Sequence, residues 1–276
     1  FSYLKHKFLK VEFPLAVNST EAISETQFGY VKRPTHTSRQ YDKDRYEVCN
    51  HRYTAIADSS HGAAVLNDSK YGVSVKDCVI ALSLLKSAVI PDLYADQGEQ
   101  KFTYSLYVFN TPFAESKTVQ EAYNLNNPLN IAWLPFEAPQ EKSFFTLSNP
   151  NVILETVKKA GFGAEKNSSN SGKKGGSSEK IVLRLYEAMG STADCKLVLN
   201  SQLKVKSALL TDMEENELAK IPQVVASSDL CGQNDCTANP SPAVLSEDCE
   251  AAKDSAGVQL NLNFKPFEIK TILLEI

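Results

Sequence analysis

The sequence predicts an all-β protein: a large antiparallel β-sandwich followed by a smaller one. Three observations support this. Apolar residues recur mainly in short runs with a period of two, the spacing that sets alternate side chains on one face of a strand. Clusters of Gly, Pro, Asn, Asp and Ser separate those runs. Only one stretch carries convincing helical spacing, and many short strands with little helix fold as sandwiches rather than as a parallel α/β sheet.

Taken in order, Lys7 to Phe13 nearly alternates and stops at Pro14, which cannot donate to a ladder. Tyr46 to Cys49 and Gly62 to Asp68 follow, the second ending in an Asn-Asp-Ser turn cluster. Val79 to Leu85 is the next apolar run. Lys101 to Phe109 shows the clearest two-residue period, with Phe102, Tyr104, Leu106 and Val108 on one face. Ser116 to Leu125 is the helix, with Val119, Ala122 and Tyr123 at helical spacing. The proline-rich stretch from 126 to 141, carrying Trp133 and Phe136, reads as a linker. It sets an expected boundary near residue 140: a large sandwich over 1–140 and a small one over 141–276. In the second part, Val152 to Lys158, Ile181 to Glu187, Cys195 to Leu199, Leu203 to Leu210, Val258 to Phe264 and Glu268 to Ile276 read as strands. Two long loops interrupt them, a Gly/Ser/Lys-rich one at 160–179 and a second at 229–256.

Composition narrows the function. Hydrophobic residues make up 42% and charged residues 22% of 276, as in a globular domain pair. The net charge of −4 supplies no basic footprint, so no nucleic acid partner is expected. No apolar run approaches the ~18 residues that a membrane helix needs, so no membrane partner is expected either. The chain starts Phe1-Ser2-Tyr3 without a secretory leader, so either something was removed or it is part of a longer polypeptide. Sequons at Asn18, Asn67 and Asn167 matter only in a secretory compartment, which keeps that alternative open.

The six cysteines are too sparse for a disulfide scaffold. Cys49, Cys78 and Cys195 read as small buried hydrophobes. Cys231, Cys236 and Cys249 lie in the polar 229–256 loop and leave one disulfide or none open. They would leave a tetrahedral zinc site one ligand short, because no histidine follows His61.

Signatures of catalysis are missing. Gly172 to Gly176 opens no phosphate-binding helix, and no Gly-x-Ser-x-Gly elbow occurs. Asp42, Asp58, Asp68, Asp92 and Asp96 all fall in loops, where spacing cannot nominate the paired carboxylates of a glycosidase. One constellation is dense. Arg33 to Glu47 gathers Arg, His, Asp and Tyr side chains, which suits either a glycan-contacting loop or an exposed, salt-bridged connection.

Several stretches together resemble one family. Lys7-Phe8-Leu9-Lys10-Val11-Glu12-Phe13-Pro14 comes first, then Gln27-Phe28-Gly29 with Arg33-Pro34-Thr35-His36. Leu66-Asn67-Asp68-Ser69-Lys70-Tyr71-Gly72, Leu82-Ser83-Leu84-Leu85, Pro91-Asp92 and Ala95-Asp96-Gln97-Gly98 follow in order. Beyond the linker, Leu183 to Ala188 and Phe264-Lys265-Pro266-Phe267-Glu268 continue the match. The order resembles the C-terminal half of family 38 glycoside hydrolases, the alpha-mannosidases, nearest their cytosolic and vacuolar branch.

The resemblance implies that the chemistry lies elsewhere. Family members cleave alpha-mannosides with retention, using an Asp nucleophile and a zinc ion in an N-terminal α/β barrel that has no counterpart here. No catalytic residue, metal ligand or cofactor is therefore expected in this chain. The expected partners are the N-terminal catalytic domain of the same enzyme, alpha-mannoside glycans, and further copies in a homo-oligomer of the parent. The expected compartment is cytoplasmic or vacuolar/lysosomal. The match begins partway into the large sandwich, so the first strands of that domain are expected upstream. Arg33, His36, Asp42 and Arg45 match a signature of this half and are carried over as substrate-binding or interface candidates. Two departures stand out: family members carry His where Gln100 stands, and an aromatic-Asp-Leu-Ser stretch where Thr54 to Ala57 stands. If those positions support the pocket, its activity is altered here. The runner-up reading is a free-standing carbohydrate- or protein-binding sandwich without catalysis.

Overall fold

A computed structural model of the chain describes residues 7–88, 90–92, 94–133, 135, 143–161, 179–225 and 257–276. The Cys231, Cys236 and Cys249 loop, the sequon at Asn167 and most of the 160–179 loop lie outside the described residues. The chain divides into two compact units, Phe1–Pro135 and Phe136–Ile276. Four antiparallel sheets, two in each unit, make the molecule all-β.

Unit 1 comprises β1 (Leu9–Pro14), β2 (Glu21–Thr26), β3 (Gly29–Pro34), α1 (Gln40–Asp44), β4 (Val48–Cys49), β5 (Tyr53–Ala57), β6 (Gly62–Asn67), β7 (Gly72–Lys76), β8 (Val79–Leu85), β9 (Tyr104–Phe109) and α2 (Thr118–Asn126). One sheet has the order β1-β8-β7-β4 and the other β3-β2-β5-β6-β9. Their facing sides form a core of Ala22, Ile56, Val65, Val73, Ile80 and Leu82, with Phe13, Val48 and Val75 packed on it.

Strand β6 is buried at all six positions. The facing sheet covers its inner side and α2 packs on its outer side, so it reads as a continuous apolar run rather than an alternation. That outer layer also holds an ion pair between buried Glu25 and half-buried Arg52. Glu25 accepts from the Arg52 backbone N–H at 2.7 Å and from its guanidinium at 2.7 Å and 3.0 Å. The far face of the same guanidinium stacks on Tyr123 of α2 at 3.8 Å.

The two-residue period of the Lys101–Phe109 segment is present, but it starts at Tyr104 and its apolar face is only partly covered. Register places Val108 opposite Ala63 and Leu106 opposite Val65, the side shared with Ile56. Yet Tyr104, Leu106 and Val108 are 39%, 42% and 62% exposed. The reason is position. Among the described residues strand β9 is the edge of its sheet and β1 the edge of the facing sheet, where Phe13 of β1 meets Tyr104 edge-to-face at 6.1 Å.

Unit 2 comprises β10 (Phe145–Leu147), β11 (Val152–Lys159), β12 (Lys180–Glu187), β13 (Ala193–Leu199), β14 (Ser207–Thr211), β15 (Glu217–Lys220), β16 (Gln223–Val225), β17 (Val258–Phe264) and β18 (Ile269–Glu275). The sheets run β10-β13-β17-β16 and β11-β12-β18-β14-β15. Strand β13 turns Ala193, Cys195, Leu197 and Leu199 inward against Leu183, Leu185, Leu260, Phe264 and Ile272. The predicted strand from Leu203 to Leu210 is shorter: Ser201–Leu203 is a 3-10 turn and β14 starts only at Ser207. Of the three cysteines expected inside, Cys195 is buried, whereas Cys78 is half-buried and Cys49 exposed.

Candidate functional site

The Arg33–Glu47 segment connects two sheet edges. Strand β3 is the outermost strand of its sheet and β4 the outermost of the facing sheet, so the connection spans the open side of the sandwich opposite β9 and β1. Buried Thr35 anchors it. The Thr35 hydroxyl donates to the Ser19 carbonyl at 2.9 Å and its N–H to the Thr20 carbonyl at 3.0 Å. Its carbonyl accepts the Asp77 N–H at 3.0 Å.

Beneath the connection lies a cleft of about 490 Å³, inside the range of about 300–1,000 Å³ usual for small-molecule sites. All four candidates line it: Arg33, His36, Asp42 and Arg45. Sequence reading did not single out Lys43, Lys76 or Ser74, which line it too. Lys76 and Ser74 come from β7 of the facing sheet, and no local pattern signals that register.

The four candidates sit in different environments. Arg33 stands opposite Ala22 in the ladder, so it enters the cleft from the inward face of β3. Burial lowers its pKa below the ordinary guanidinium value; the Cys49 thiol opposes this and the neighbouring Arg45 adds to it. Arg33 Nη1 is buried and has no hydrogen-bond partner among the described residues.

Asp42 belongs to the one-turn helix α1 rather than to a loop. Its carboxylate accepts the Arg39 N–H at 3.1 Å, which caps the helix, and it stands 3.8 Å from His36 Nδ1. Arg45 ends that helix with its guanidinium over the Tyr41 ring at 4.0 Å.

The other acidic candidates are occupied in turns. Asp58 accepts from Ser60 and His61 N–H at 2.7 and 2.9 Å, and Asp68 from Thr103 N–H at 2.9 Å. Asp92 accepts from Tyr94 N–H at 2.8 Å, and Asp96 from Lys86 and Ser87 N–H at 2.9 and 3.0 Å. Each shapes backbone, which is a structural task. Among the described residues no cluster of three or more His, Cys, Asp and Glu could hold a metal ion. No helix among them is long and apolar enough to cross a membrane. The Asn67 sequon is unsuited to glycosylation, because Asn67 is 1% exposed and donates to the His51 carbonyl at 2.7 Å. Of the two departures, Thr54 to Ala57 form β5 in the core, and Gln100 lies in an exposed coil; neither lines the cleft.

Comparison with known proteins decides the family. The model described as "Glycosyl hydrolases family 38 C-terminal domain" matches residues 4–94, and "Glycosyl hydrolases family 38 C-terminal beta sandwich domain" matches 151–272. Mouse Alpha-mannosidase 2C1 is 37% identical over 98% of this chain and 22% of its own length. The chain belongs to glycoside hydrolase family 38. Human Alpha-mannosidase 2C1 is 43% identical over 76% of this chain and 19% of its own length, and Saccharomyces cerevisiae Alpha-mannosidase is 34% identical over 78% and 20%. The chain therefore spans about a fifth of the curated family 38 relatives it matches. An alpha-mannosidase crystal structure from Enterococcus faecalis V583 shares the fold, with a TM-score of 0.64 over 97% of this chain and 26% of that one, at 17% identity.

Proposed function

We propose that the chain is the non-catalytic C-terminal portion of an alpha-mannosidase that hydrolyses terminal alpha-mannosides with retention. The carrying observation is the 37% identity over 98% of this chain to an alpha-mannosidase of which it spans 22%. In this reading residues 1–140 are the large sandwich domain and 141–276 the small one. A zinc-containing N-terminal catalytic domain is the partner and supplies nucleophile and metal. The partly covered inner face of β9 supports it, since an apolar strip of this kind calls for a covering body. The Arg33, His36, Asp42 and Arg45 cleft helps shape the substrate pocket or the interface with that domain. A cytoplasmic or vacuolar/lysosomal place of work follows from the same likeness.

The test is reconstitution. Alone, the chain should not hydrolyse an aryl alpha-mannoside; co-expressed with the preceding region of its gene product, it should co-purify and turnover should appear. Turnover by a preparation verified to hold this chain alone refutes the reading.

A second reading has one observation in its favour: among the described residues, those that line the cleft all come from unit 1. It makes the chain a free-standing sandwich that binds glycan or protein without catalysis. Saturable mannoside binding by the isolated chain in calorimetry, abolished by Arg33→Ala or His36→Ala, favours it over the first.

A further inference from the structure

The cleft has an unusual charge ledger for a site that meets neutral sugar. Arg33, Lys43, Arg45 and Lys76 line it, against the single carboxylate of Asp42. Its Oδ2 accepts the Arg39 N–H at 3.1 Å, and His36 Nδ1 stands 3.8 Å from the same oxygen. With His36 neutral, the lining carries four positive charges and one negative, a surplus of three. None of the four cations has an ion-pair partner among the described residues; Arg45 instead rests on the Tyr41 ring.

Arg33 sharpens the point. A guanidinium partly withdrawn from water beside a second guanidinium is disfavoured unless an acceptor meets it, and its buried Nη1 meets none among the described residues. Recognition of an uncharged hexose calls for several carboxylate and amide acceptors facing the sugar hydroxyls, and Asp42 is the single carboxylate in the lining. Two Arg forks and two lysines suit an oxyanion instead. A phosphomonoester carries about −1.5 to −2 charges and three acceptor oxygens, which answers most of the surplus. A phosphate fills only part of 490 Å³, leaving room for a group of sugar size.

From this juxtaposition we propose that the unit 1 cleft is an oxyanion site whose ligand is a small phosphomonoester, such as a sugar phosphate, rather than a neutral hexose. The inference rests on the cleft being a ligand site of its own, in place of the mannoside-pocket or interface role given above, and is independent of the chain being part of a mannosidase. The site lies between the inward face of β3, the α1 connection and the end of β7, all from unit 1.

The experiment uses the complete gene product and titrates it in a calorimeter with inorganic phosphate, glucose 6-phosphate and glucose, at low and at physiological salt. Both phosphates should bind saturably and more weakly as salt rises, whereas glucose should not bind. Arg33→Gln should weaken phosphate binding by about tenfold or more, as expected for loss of a charge-assisted pair. Arg45→Gln and Lys76→Gln, at exposed positions, should each weaken it as well, so the test survives an Arg33 variant that does not fold. Glucose binding as well as its phosphate overturns the proposal. So does phosphate affinity unchanged in all three variants, or no anion binding because an acidic segment of the rest of the protein fills the cleft. Aryl mannoside turnover, read on the same samples, keeps the two readings apart. Turnover without phosphate binding removes only the oxyanion site, and binding without turnover removes only the mannosidase reading.

Discussion

Four backbone N–H groups and a hydroxyl converge on one carboxylate in unit 2. Glu187, fully buried, accepts from Met189, Gly190, Ser191 and Phe267 N–H at 2.8–3.1 Å and from the Ser191 hydroxyl at 3.2 Å. The knot joins the turn after β12 to the turn before β18. It also explains Gly190, whose φ is +71° and where a Cβ would stand 2.7 Å from the Phe267 ring. Glu187→Gln turns one acceptor oxygen into a donor facing donors, so it should destabilise the chain by about 3 kcal/mol, since each buried unmet N–H costs about 1–3 kcal/mol. A shift of the urea midpoint measures it. Asp58 makes a different prediction. Hydrogen bonds from Ser60 and His61 N–H, against a small burial cost, with further help from the Ser60 hydroxyl and the His61 charge, lower its pKa from 3.8 to about 2. A depressed carboxylate contributes stability above its unfolded value and loses it as pH falls through the folded one. The Tm advantage of wild type over Asp58→Asn should therefore be full above pH 4 and shrink towards pH 2. A difference that stays constant across that window contradicts the assignment.

At the scale of elements, sequence reading succeeded where one strand carries its own signal. Strands β8 and β17 begin and end where the apolar runs do, and α2 falls within two residues of its predicted span. Strand β2 was missed because Glu21 and Glu25 make it look like loop; what allows Glu25 inside is Arg52, 27 positions away. The strand predicted over Tyr46 to Cys49 shortens to the two residues of β4, and β15 exposes all its side chains, so it leaves no burial pattern to read. The candidate site was legible as a composition, Arg33 to Glu47, but Lys76 and Ser74 reach it only through cross-sheet packing. The face of β9 shows the limit of periodicity: a pattern names the side that wants burial, whereas sheet order decides whether anything buries it. Hence a graded prediction. Ile56→Ala, in the closed part of the core, should cost about 2–5 kcal/mol, whereas Leu106→Ala on β9 should cost less than about 1 kcal/mol in the isolated chain. Denaturant titration of the two variants checks it, and equal losses would mean that β9 is already covered.

For the whole molecule, that partly covered strip sets how the chain behaves outside its parent. Among the described residues, strands β1 and β9 are both end strands of their sheets on the same side of unit 1, and they border an apolar strip of Tyr104, Leu106 and Val108. Edges of this kind pair with other chains unless charge or a covering element prevents it. Charge prevents little here, because a net −4 over 276 residues gives only weak mutual repulsion. The isolated chain should thus self-associate, with a light-scattering mass that rises with concentration. Leu106→Lys with Val108→Lys should return it towards the monomer, since both side chains are already exposed and the double change leaves the closed core untouched. On the proposed reading, the same pair should act oppositely in the reconstituted parent and weaken capture of the catalytic region, because the strip would then be the surface it buries. A lone chain that stays monomeric at every concentration, or a double variant that captures the catalytic region as well as wild type, would show that this face is not where the rest of the enzyme docks.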